Sequence, residues 1–155
     1  MVLSGCSASS STSRKEKAAA DYQITTGLIE SGNYRFTIRS ATPSGGKTVQ
    51  ISSLYTLDAK EGNYEALLPY FGRAYAASYG GDSGIEFKGE PENLKVERDD
   101  QKNSISVTFT IGASKVNDSY DVNLKVGASG YGNMVVNSRN RQTISYYGLA
   151  GELKD

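Results

Sequence analysis

From Tyr34 onward the apolar residues of this chain fall on alternate positions, and that period of two restricts its fold more than any other feature. Tyr34, Phe36 and Ile38 alternate with Arg35, Thr37 and Arg39, and Tyr120, Val122, Leu124 and Val126 repeat the pattern more cleanly. Successive side chains of a strand point to opposite faces, so these runs read as half-buried strands. Further strands are expected at Thr48 to about Lys60, Tyr64 to Leu68, Ile85 to Phe87, Leu94 to Val96, Ile105 to Ile111, Met134 to Ser138 and Thr143 to Leu149. In the first of these, Val49, Ile51, Tyr55, Leu57 and Ala59 share one parity, which fits one long strand with room for a bulge at Ser52-Ser53. Turns separate the runs at Pro43-Ser44-Gly45-Gly46, Glu61-Gly62-Asn63, the polar Asp99 to Asn103 hairpin, and Gly127 to Gly132.

One segment has a different period. Arg14 to about Glu30 reads as a helix, with Ser13 able to cap it and Glu16 three residues later in the capping-box position. Ala18, Ala19 and Ala20 favour it; Thr25-Thr26-Gly27 weakens it; Ser31-Gly32 ends it. The expected fold is therefore mainly β with one N-terminal helix, an antiparallel curved sheet of about eight strands. It would form a barrel-like or sandwich domain over 14–153, the helix covering one face or plugging one end.

Ahead of the helix stands Leu3-Ser4-Gly5-Cys6, a small-residue run closing on the chain's one cysteine. It has the form of a lipobox, with Cys6 the residue that receives the lipid. A signal peptide needs a basic region and an apolar stretch of about 7–15 residues before the cleavage site. Here only Met1 and Val2 precede Leu3, so the native start is expected upstream, or the leader to have been trimmed. Ser7 to Ser13 is too polar to pack, so residues 1–13 read as a lipobox remnant and flexible tether. The implied localisation is the bacterial cell envelope, lipid-anchored to the outer membrane. The lack of an acidic cluster in the serine run favours the periplasmic side.

Composition narrows the chemistry. Seventeen basic residues balance seventeen acidic ones, so there is no basic field to attract nucleic acid, and membrane contact would be through the lipid alone. The chain has no histidine, which removes Ser-His-Asp and Cys-His nucleophiles and the usual zinc ligand. Carboxylate hydrolysis, a lysine or tyrosine base and an oxygen-ligated calcium site survive that test. The candidate motifs for them are weak. Ala41 to Thr48 departs from a phosphate-binding loop by having Ala41 where glycine is needed and strands on both sides. Asp99-Asp100 suits a solvated turn, Glu90 and Glu92 flank Pro91 in a loop, and Asn117-Asp118-Ser119 lacks calcium-loop spacing. No catalytic residue, metal or cofactor is expected, and the protein is read as a non-enzyme.

The segment Leu67-Leu68-Pro69-Tyr70-Phe71-Gly72-Arg73-Ala74-Tyr75 breaks the alternation. Proline excludes it from a central ladder, and tyrosine with arginine makes a rigid, polar-tipped surface suited to carboxylates or sugars. Arg139 and Arg141 lie between two later strands, followed by Tyr146 and Tyr147. If the two regions meet, Tyr70, Arg73, Tyr75, Arg141 and Tyr146 would line one cationic, aromatic-walled site. The alternative is that the aromatics fill a core or a sheet corner and Arg73 pairs with a carboxylate.

Leu68-Pro69-Tyr70-Phe71-Gly72-Arg73-Ala74-Tyr75, Gly84-Ile85-Glu86-Phe87 and the late Val136 to Gly148 resemble a bacterial exported-protein family catalogued as domain of unknown function 4251. The similarity runs from about the helix to the end. It implies a compact, mostly β, periplasmic or surface lipoprotein and brings no assigned catalytic residues. Three functions stay open. The first is a non-catalytic envelope domain binding an anionic or carbohydrate ligand, or a protein partner. The second is a structural or assembly lipoprotein. The third is a carboxylate hydrolase. A deep cavity would favour the first, and a filled core with an exposed apolar patch the second.

Overall fold

The structure is a computed structural model that describes residues 6–70, 84–114, 118–139 and 142–153. One helix, α1 (Cys6–Glu30), precedes ten strands: β1 (Tyr34–Pro43), β2 (Val49–Gln50), β3 (Thr56–Lys60), β4 (Asn63–Leu68), β5 (Ile85–Gly89), β6 (Glu92–Asp99), β7 (Ser104–Gly112), β8 (Ser119–Gly127), β9 (Tyr131–Ser138) and β10 (Ile144–Glu152). They form one antiparallel sheet in the order β5-β4-β3-β1-β10-β9-β8-β7-β6, with β2 beside β1. The sheet curves into a half-barrel. The aromatic rings of its two flanks meet inside, Phe87 lying 6.1 Å from Phe109 and 6.0 Å from Tyr120, and Tyr64 4.4 Å from Phe109. Ser114 N–H donates to the Glu86 carbonyl at 2.9 Å, so the flank beyond β7 touches β5.

The inward parity is the one the alternation marks. Tyr34, Phe36, Leu57, Tyr64, Leu68, Phe87, Val107, Leu124, Met134 and Tyr146 belong to one buried cluster. Each large apolar side chain so buried contributes roughly 1.5–3 kcal/mol. Parity changes where the chain needs to turn. β1 shifts register between Ile38 and Ser40, so Ala41 and Pro43 rather than Ser40 and Thr42 continue the inward row. The β3–β4 hairpin turns on Glu61 (φ 50°) and Gly62 (φ 86°), the pair of left-handed residues that a two-residue type I′ turn requires.

Two expectations are corrected. The helix begins at Cys6 instead of Arg14, so Ser13 is inside it and not its cap. Alanine follows closely enough at Ala18–Ala20 for an established helix to extend backward at small cost. The run from Thr48 to Lys60 is two strands, not one. Five residues from Ile51 to Tyr55 stand against the two on β1 between Thr37 and Ser40, and Leu54 is pushed out to 74% exposure. The interruption falls on Ser52-Ser53, where a bulge is expected from sequence.

The C-terminal half of α1 packs across one end of the half-barrel. Tyr22, Thr26 and Ile29 are buried there. Tyr22 OH donates to Asp100 Oδ1 at 2.7 Å, Thr25 Oγ1 to the Ala128 carbonyl at 2.8 Å, and the Arg98 guanidinium to the Glu30 carboxylate. The weak helix formers Thr25 and Thr26 thus sit where their hydroxyls have partners, Thr26 on its own helix at Tyr22 O. Gly32 (φ 77°) ends α1 in the left-handed conformation. No helix among the described residues is long and apolar enough to cross a membrane.

Candidate functional site

The strand ends away from α1 gather Leu68, Ile85, Pro43, Ile144, Ser138 and Ser119. Pro69 ends β4 there, as its missing N–H dictates. Two hydrogen bonds join the chain leaving β4 to the approach to β10. Tyr146 OH donates to the Pro69 carbonyl at 2.5 Å, and Tyr70 OH donates to the Gln142 carbonyl at 2.9 Å. The two unusual stretches of the sequence therefore meet, although 72 positions separate Tyr70 from Gln142.

The tyrosines have different surroundings. Tyr146 is 1% exposed, on the inward parity of β10, and acts as a strut from the core to the chain leaving β4. Tyr70 is half-buried against the same core. Arg73, Tyr75 and Arg141 lie outside the described residues; Tyr75 follows Tyr70 by five positions and Arg141 immediately precedes Gln142. Cys6 is the first residue of α1. Close packing at this end also shows at Gly84, where a Cβ would fall 2.6 Å from the Leu68 carbonyl oxygen. Asp118 accepts the Ser119 and Arg139 N–H groups and the Ser138 hydroxyl, closing the start of β8 onto the end of β9.

Three exposed groups lie outside the set of site residues expected from sequence. Leu67, 52% exposed, faces outward on β4, and Leu54 projects from the loop entering β3. Tyr147 faces outward beside the buried Tyr146 and stacks on Tyr131 at 5.7 Å and 8°. Parity alone would have found it, since Ile144, Tyr146 and Ala150 set the inward row.

Several acidic groups are committed to structural bonds. Asp58 holds Arg35 through two contacts of 2.7 and 2.9 Å, beside a cleft of about 520 Å³ lined also by Lys60, Glu65 and Lys88. The Arg98 guanidinium keeps the Glu30 carboxyl below its usual range. The titratable groups with the most altered surroundings are phenols. Tyr34 and Tyr64 share a hydroxyl contact of 3.0 Å inside the core, and burial raises both. Tyr22 is pushed up to about 12, first by burial and then by its bond to the Asp100 carboxylate.

The family model described as "Domain of unknown function (DUF4251)" matches residues 16–150. The chain belongs to the DUF4251 family. A crystal structure of a DUF4251 protein from Bacteroides eggerthii DSM 20697 superposes with a TM-score of 0.66 at 15% identity, covering 88% of this chain and 91% of that one. At that identity the likeness concerns the fold. No curated protein matches. The DUF4251 match spans both α1 from Glu16 and the late strands, so the strap between Pro69 and Tyr146 lies within the family's own domain.

Proposed function

We propose that this DUF4251 domain is the non-catalytic part of a cell-envelope lipoprotein and recognises a protein partner at the end of the half-barrel away from α1. The observation that carries this reading is the filled interior. Inward-facing residues of β1, β4, β5, β7, β8, β9 and β10 pack into one apolar cluster, leaving recognition to the outside. At the far end, Leu54, Leu67 and Tyr70 offer apolar and polar-tipped surface, with Arg73, Tyr75 and Arg141 close by in sequence. A packed core with exposed apolar groups favours a partner over a small enclosed ligand. Anchoring is assigned to Cys6, from which α1 would act as a stalk. Sixteen positions separate Cys6 from Tyr22, the first buried side chain described in α1, or about 24 Å at 1.5 Å per residue.

The test places a photo-crosslinking residue at Leu67 in the producing cell, with Lys125 on the opposite flank as control. A discrete adduct from position 67 that is absent from position 125, and lost in Leu54→Asp, supports the reading. Equal adducts at both positions, or none at 67, overturn it, as would substrate turnover by the purified domain. Anchoring is checked separately by metabolic labelling with an alkyne fatty acid, which wild type should incorporate and Cys6→Ser should not.

A further inference from the structure

β6 ends the sheet. It pairs with β7 along one side, Lys95 with Thr108, Val96 with Val107, Glu97 with Ser106 and Arg98 with Ile105, and no strand lies on its other side among the described residues. Every residue from Glu92 to Arg98 is exposed, including Leu94 at 44% and Val96 at 39%. An edge of this kind carries a row of unpaired N–H and C=O groups and is a template for another strand. Charged side chains usually prevent such pairing, and β6 carries Glu92, Lys95, Glu97, Arg98 and Asp99. Their signs alternate, however, in a way that selects one pairing.

We propose that the free edge of β6 pairs antiparallel with the same edge of a second copy, about a two-fold axis at Val96. Pairs that keep the concave faces of both sheets on one side join residues of like parity. An axis at Lys95 sets lysine against lysine and one at Arg98 arginine against arginine; one at Glu97 sets Lys95 opposite Asp99 twice but centres on glutamate against glutamate, and Asp99 already accepts the Lys102 N–H within its own chain. An axis at Leu94 centres on the irregular stretch between Glu92 and Lys95, where Asn93 has φ 56°. The axis at Val96 sets Lys95 of each copy opposite Glu97 of the other, twice, and buries two valines against each other. Lys95 and Glu97 already project on one face within a chain, their charges 2.8 Å apart, so the four groups form a closed square of alternating sign. This surface is distinct from the far-end surface of the proposed function, and either can fail alone.

Sedimentation velocity on the full chain carrying Cys6→Ser tests the pairing. Wild type should form a dimer. Lys95→Glu and Glu97→Lys should each weaken it at least about tenfold by setting like charges opposite one another. Mixing those two variants should restore association as a heterodimer, because the introduced glutamate of one chain then faces the introduced lysine of the other. The double variant should restore the homodimer for the same reason. Val96→Cys should cross-link on oxidation in this background, and adding Lys95→Glu should suppress it. A wild type that stays monomeric at the highest attainable concentration overturns the proposal. So does a dimer indifferent to Lys95→Glu, or failure of the mixed variants to associate while each retains the native circular dichroism.

Discussion

Replacing Gly148 with alanine should be far more damaging than its one added methyl suggests. Gly148 faces inward on β10, paired with Gly132 on β9 and Ile38 on β1. A Cβ there would lie 2.1 Å from the Thr37 carbonyl oxygen and 3.0 Å from the tip of the Phe36 ring. Backbone cannot swing aside as a side-chain end can, so β1 and β10 must part locally while Phe36, wholly buried, is forced from its place. Losing about two ladder bonds at about 1 kcal/mol each, with about 1–3 kcal/mol for the overpacked ring, gives about 3–5 kcal/mol. That is a large share of the roughly 5–15 kcal/mol that holds a typical domain. In urea, with a slope of about 2 kcal/mol per molar, the midpoint should fall by about 1.5–2.5 M. Gly151→Ala is the control, since nothing lies within 4 Å of the added carbon, and it should stay within about 0.5 kcal/mol of wild type. Coincident unfolding curves for the two variants would refute the argument that a bare backbone contact sets the curvature here.

Other outcomes follow from the same structure. Tyr146→Phe leaves the Pro69 carbonyl without its hydroxyl donor and should cost about 1–3 kcal/mol in the same urea assay. Leu124→Ala, in the core, should cost about 2–5 kcal/mol, whereas Ile24→Ser, at a site 71% exposed, should lie within about 0.5 kcal/mol of wild type. Tyr22, Tyr34 and Tyr64 have raised values when folded, so their contribution is complete below the ordinary phenol value of about 10 and is lost as pH rises beyond it. Tyrosinate absorbance should therefore show these phenols ionising above the ordinary phenol range, and ionisation of all eleven tyrosines near pH 10 with the fold intact would contradict it.

The strands are legible because one face of each is buried and the other is wet, which writes period two into the sequence. The alternation of Tyr120 to Val126 survives intact in β8. What the pattern cannot show is where a strand changes partner. Val49 to Ala59 keeps one parity in sequence, yet the chain leaves the ladder at Ile51 and rejoins it at Thr56. The odd excess of residues in that excursion and the register shift of β1 opposite it each reverse parity, so the two reversals cancel and leave no trace in the pattern. Leu94 and Val96 mark β6 as a half-buried strand in sequence, and both are exposed. An edge strand keeps the sequence period of its neighbour after losing the cover that gives the period its meaning. At the far end, the meeting of Pro69–Tyr70 with Gln142–Tyr146 is readable only as shared irregularity. The division of labour between Tyr146 and Tyr147 is readable from parity.

The two ends of the half-barrel are built differently, and that difference argues for where recognition belongs. At the α1 end, bonds from Tyr22, Thr25 and Glu30 reach Asp100, Ala128 and Arg98, fastening helix to the β6–β7 hairpin, the β8–β9 turn and β6 itself. These three side chains hold the helix to the sheet. At the far end, the bonds from Tyr70 and Tyr146 fix where the chain emerges from β4 and enters β10, Asp118 ties the start of β8 to the end of β9, and Leu54 and Leu67 face water. A rigid frame with unspent apolar groups can meet a partner without first ordering itself, which lowers the entropic cost of binding. The same end of the molecule made flexible by Tyr146→Phe should bind more weakly even where Leu67 is untouched. A crosslink yield at position 67 that does not respond to that change would separate the strap from recognition.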